Sequence, residues 1–188
     1  MIFKGCRLLI ACALCLTAAH AQVEKRFSLT MSPIHLALPA LELTGEYALA
    51  PKFGVSAIAG FGSISIKETD NSTLETKSIN IPFLELGGQM NYYLVGSFRH
   101  GMQLGGELLW IKLSLPKGED VSGTANGVAV GPLIGYKWAA RFGLTLMAQL
   151  GYEFLFAQAK TTDANGNEVE SSTDSGIPLL NLNIGWSL

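Results

Sequence analysis

The chain has 188 residues, 48% of them apolar and 15% charged, with a formal net charge of −2. This length suits one domain, and the slightly acidic balance argues against a nucleic-acid partner. Mean hydropathy is positive, yet past residue 21 no uninterrupted apolar run approaches the 18 or so residues of a spanning helix, which excludes a helical membrane protein.

At the start of the chain, Lys4 and Arg7 flank a short apolar stretch from Leu8 to Leu16, and Ala19-His20-Ala21 offers small residues at −3 and −1 of a cleavage site. Residues 1–21 therefore read as a signal peptide, with 22–188 as the mature domain; the apolar stretch is too short to cross roughly 30 Å of hydrocarbon as a helix. Leu9-Ile10-Ala11-Cys12 also resembles a lipoprotein cleavage box, but too little apolar chain precedes it. Cys6, Cys12 and Cys15 all fall in the removed segment. The mature chain then has neither a disulfide nor a thiolate metal site, and its stability must come from backbone pairing and packing. Removing two basic residues takes the net charge to 11 − 15 = −4.

Along the mature chain, apolar residues alternate with small or polar ones at the period of a strand whose faces meet different surroundings. The first strand is expected over Phe27 to Leu36, turning near Pro39. In the second, Leu41, Leu43, Gly45, Tyr47 and Leu49 oppose Glu42, Thr44, Glu46 and Ala48. In the third, Phe53, Val55, Ala57, Ala59 and Phe61 oppose Gly54, Ser56, Ile58 and Gly60. The fourth sets Leu84, Leu86, Met90, Tyr92 and Leu94 against Glu85, Gln89 and Asn91, and the fifth sets Leu104, Leu108 and Trp110 against Gln103 and Glu107. Val128, Val130, Ile134, Tyr136 and Trp138 oppose Gly131, Gly135 and Lys137 in the sixth. Leu144, Leu146, Leu150, Tyr152 and Phe154 oppose Thr145, Gln149 and Glu153 in the seventh, and Ile177 to Leu188 form the last. The apolar set changes parity near Pro33, Ser63, Pro82 and Ile111, which reads as bulges or strand ends.

Short links (Ala50 to Lys52, Gly96 to Gly101, Ala140 to Gly143) alternate with long polar ones over 67–77, 116–126 and 160–175. Short turns at one end and long loops at the other are the mark of an up-and-down transmembrane β-barrel, and closure favours an even count. The expected fold is thus all-β and antiparallel, with about eight strands and both termini at the short-turn end. A soluble barrel of the lipocalin type would hide its apolar face and show water the glutamate-rich one. We expect the apolar face to meet lipid, with Tyr47, Tyr92, Tyr93, Trp138, Tyr152, Phe156 and Trp186 as interfacial girdles.

Leu180, Leu182, Ile184, Trp186 and Leu188 alternate with Asn181, Asn183, Gly185 and Ser187 to the last residue. This pattern resembles the terminal-strand signal read by the outer-membrane assembly machinery, with Leu188 where that signal usually has an aromatic residue. Size, strand count and terminus together resemble, across the whole mature chain, the eight-stranded outer-membrane proteins of the OmpA-transmembrane, OmpX and Opa type. The resemblance implies the outer membrane of a Gram-negative-type bacterium, with outer-membrane lipid and the assembly machinery as partners. Since the chain stops at the last strand, no periplasmic domain is expected to follow the barrel.

Inside such a barrel, Glu42, Glu46, Glu85, Gln89, Glu107, Lys137, Gln149 and Glu153 would form a polar network, with Gln103 and Lys112 as further partners. An eight-stranded barrel is only wide enough for side chains to fill, so a sealed network is expected rather than a cation path. Envelope lipid hydrolases need a Ser and a His on neighbouring lipid-facing positions. Here His100 falls in a turn beside Arg99, and His35 has no evident Ser or acid partner at a strand-compatible spacing. Neither an enzyme nor a cofactor nor a resident metal is expected. Asp163-Ala164-Asn165-Gly166-Asn167, with Glu168 and Glu170, superficially resembles a calcium loop, but its glycine is misplaced and Asn-Gly turn chemistry explains it. The expected role is structural or a surface interaction, in which the three long links meet an extracellular ligand or surface; the alternatives are a narrow channel for small solutes or ions and a lipid-modifying enzyme.

Overall fold

The structure, a computed structural model, describes residues 25–37, 39–69, 76–115, 121–163 and 168–188. The expected signal peptide, residues 1–21, lies outside the described residues, as do 70–75, 116–120 and 164–167 within the long links. The strands are β1 (Phe27–Met31), β2 (Ala40–Ala50), β3 (Phe53–Thr69), β4 (Thr76–Gly96), β5 (His100–Leu115), β6 (Val121–Ala139), β7 (Leu144–Asp163) and β8 (Glu168–Ser187). They pair antiparallel in sequence order and close into a ring through β1 and β8.

Strand parity decides what each side chain meets. Leu43, Tyr47, Phe61, Leu86, Met90, Leu108 and Trp138 are exposed on the outside, while Glu42, Glu46, Glu85, Glu107 and Glu153 are buried within. Apolar out and polar in is the arrangement of a membrane-spanning barrel, the reverse of a soluble one. At the short-turn end, Gly96 (φ 81°) and Gly143 (φ 123°) take left-handed conformations that a side chain would strain.

Three features depart from the sequence reading. The first strand stops at Met31, and α1 (Pro33–Ala37) replaces its expected second half. Pro33 cannot donate to a ladder, and its fixed φ suits the first turn of a helix. β1 therefore meets β8 through the short run of pairs Ser28–Ser187, Leu29–Trp186, Thr30–Gly185 and Met31–Ile184, extended by reciprocal backbone hydrogen bonds between Phe27 and Leu188. Beyond that short seam, β8 pairs with β7 alone, and α1 packs between β2 and β8.

The parity changes near Ser63, Pro82 and Ile111 are not bulges. Ser63 pairs with Pro82 and Ile111 with Glu85 in unbroken ladders, and the register shifts near the short turns instead, at Ala48/Ala50 and Tyr93/Val95. What changes at those positions is the chemistry of the faces. Farther from the short turns the strands run on in register, but their inward positions become apolar, with Ile64, Phe83, Ile111 and Leu113 turned into the lumen.

Finally, much of the long links is ladder, with Thr69 paired to Thr76, Leu115 to Gly123 and Thr162 to Glu168. About 9–11 tilted residues span a bilayer core, so β4 with 21 residues and β7 and β8 with 20 each project well past the apolar band. On β8 every residue from 168 to 178 is exposed, and a strand with water on both faces carries no alternation to read.

Candidate functional site

Phe98 closes the lumen at the short-turn end. Its backbone N–H donates to the Pro51 carbonyl at 3.0 Å, and its ring meets Tyr93 edge-on, centroids 6.1 Å apart, beside Ala48. Lys137 lies over the Phe98 ring, with Nζ 3.5 Å from the centroid, and donates to Glu46 Oε2 at 2.6 Å and to Ser28 Oγ at 2.9 Å. Tyr93 donates to the other Glu46 oxygen at 2.9 Å. Tyr93 is thus part of this plug and not of an outer girdle, because inward positions on β4 are odd-numbered while Tyr92 faces out.

A second layer lies above. Gln89 donates to Glu107 and, at 3.3 Å, to Gln149, which returns a bond at 3.1 Å. Asn181 donates to both Glu107 and Gln149 at 3.4 Å, and Glu153 is buried in the lumen. Gln103 is also buried. Lys112, expected as a partner, is exposed: its even position on β5 points outward.

Glu42 and Glu85 form the third layer with His35. The Nε2 of His35 is 3.3 Å from Glu42 Oε2 and 4.0 Å from Glu85 Oε1. The strand assignment hid these acid partners; on the helical turn of α1 the imidazole reaches into the lumen. Gly60 faces Glu85 across the β3–β4 ladder, and a Cβ there would collide with the Glu85 carboxylate. His100, at the start of β5, is exposed.

Ile58, Leu109 and Ala129, nearer the short turns than Glu85 and Ile111, begin an apolar stretch of the lumen and pack with Ile111 and Leu155. A cavity of about 320 Å³ opens among Ile64, Phe83, Ile111, Leu113, Leu155 and Ala157, with His35, Glu85 and Asn126 as its polar lining. The parity change in the sequence was the signal for this cavity. Among the described residues, Glu46 is the lumenal carboxylate paired with a lysine.

Leu180, Leu182, Ile184, Trp186 and Leu188 are all exposed on the outer face, where Trp186 packs beside Phe142 with centroids 5.8 Å apart. No protein-family model matches the chain, and no curated protein matches it either. Among solved structures, a major outer membrane protein from Thermus thermophilus superposes with a TM-score of 0.54 at 14% identity, covering 87% of this chain and 99% of that one. At that identity the likeness is one of fold: the chain is a closed, eight-stranded antiparallel barrel of the architecture found in an outer-membrane protein.

Proposed function

We propose that the chain is an integral outer-membrane protein of the OmpA-transmembrane, OmpX and Opa kind. In this reading it is exported by residues 1–21 and inserted by an assembly machinery that reads Leu180, Leu182, Ile184, Trp186 and Leu188. It serves as a sealed, non-catalytic scaffold whose projecting hairpins, over 67–77, 116–126 and 160–175, meet an extracellular ligand or surface. The plug of Phe98, Tyr93, Lys137 and Glu46 carries this reading, because these buried side chains bond to one another and pack on an aromatic ring, which leaves no aqueous path at the short-turn end. Against catalysis, the lumenal histidine faces carboxylates and not a hydroxyl nucleophile.

Reconstituted in planar bilayers, the protein is expected to pass no discrete current, and Glu42→Gln or Glu107→Gln to change nothing. Channel openings abolished by either substitution would replace the scaffold with an ion path. Purified protein that cleaves lipid would overturn the non-catalytic reading. In outer-membrane fractions, unheated protein should migrate apart from boiled protein on a gel. Recovery as a soluble periplasmic protein would refute the membrane assignment.

A further inference from the structure

The geometry points to a binding site for one divalent transition-metal ion, of the Zn²⁺ type, formed by His35, Glu42 and Glu85 beside the apolar cavity. One ligand atom from each of the three lies within 4.8 Å of the others. Zinc bonds of about 2.0–2.1 Å at tetrahedral angles set neighbouring ligand atoms about 3.3 Å apart. His35 Nε2 and Glu42 Oε2 are already 3.3 Å apart; His35 Nε2 and Glu85 Oε1, at 4.0 Å, need to close by about 4.0 − 3.3 = 0.7 Å.

Glu85 supplies the second, independent observation. Its residue is 7% exposed, and the oxygen nearest His35, Oε1, has no hydrogen-bond partner among the described residues. A buried carboxylate oxygen without a donor is costly, and an imidazole engaged with Glu42 does not meet that need. One divalent cation does: it balances both carboxylates and takes the neutral imidazole as its third ligand. Nitrogen in the set favours a first-row transition metal over calcium or magnesium, which take oxygen ligands in larger number. Because His35 and Glu85 both line the cavity, the fourth coordination position faces an apolar space where water or a donor-bearing small molecule can enter.

Tag-free protein, extracted from outer membranes in detergent and stripped with EDTA, is the material for the test, and Zn²⁺ alone is the probe. Calorimetry and elemental analysis should find one ion per chain, with X-ray absorption placing nitrogen and oxygen neighbours at about 2.0–2.1 Å, histidine among them. Loss of outer-shell partners alone weakens metal sites about 10–100-fold, so Glu85→Gln and His35→Gln should weaken binding by at least as much while the barrel keeps its heat-modifiable migration. His100→Gln should bind as the unmodified protein does. No stoichiometric uptake, or uptake undiminished in Glu85→Gln and His35→Gln, overturns the site. An absorption spectrum without histidine overturns it even if a variant does not fold.

Discussion

Lys137 and Glu46 are both nearly inaccessible to water, and each is the other's charge partner. Removing one member of such a pair strands the other, which costs about 3–5 kcal/mol, whereas replacing both by apolar groups of similar volume is close to neutral. Lys137→Met should therefore lower unfolding stability in detergent by about that amount, and Lys137→Met combined with Glu46→Leu should restore most of it. Equal loss in the single and double variants would show that the pair is not the source. The inward direction of both residues was legible from parity, but their pairing was not. They sit on β2 and β6, 91 residues apart in sequence, and only ring closure brings them together. For His35 the missing signal was conformational: on a strand it has no partner, and the cue lay in Pro33, which favours starting a helix over continuing a ladder.

At the scale of the strand, the outer face should be sensitive to charge by depth. Met90, 64% exposed, sits mid-band between Leu86 and Leu94, whereas Thr124 lies beyond it, next to Lys160 on β7 and Ser114 on β5. Met90→Arg should cost about 2–4 kcal/mol when folding into lipid vesicles is followed against urea, and Thr124→Arg about 0–1 kcal/mol. Equal costs would contradict a lipid-facing band. The parts of β2 to β7 nearest the short turns were readable because one face is apolar and the other polar. Alternation reports that difference and not geometry. Where Ile64, Phe83 and Ile111 turn inward and the outside becomes polar, the pattern inverts along ladders whose register does not slip. The hairpin extensions were hidden for a related reason, since polar residues on both faces look the same whether paired or not.

For the molecule as a whole, link lengths gave the direction and number of the strands, and the structure adds where the ring is thinnest. Amides of β1 and of residues 184–187 on β8 should exchange with solvent through an opening cheaper than that of the β5–β6 ladder, which runs from His100–Trp138 to Leu115–Gly123. Equal protection at both places would mean that the barrel opens only all at once. The seam also gives folding an order in time. Phe27 and Leu188 close the seam with reciprocal backbone hydrogen bonds and stand farther apart in sequence than any of the ladder pairs, so their meeting is the slowest contact to find and the least rewarded when found. The other ladders join strands adjacent in sequence and do not have to wait for it. Changes within β1 should thus alter how quickly the barrel finishes more than how firmly its remaining strands hold together.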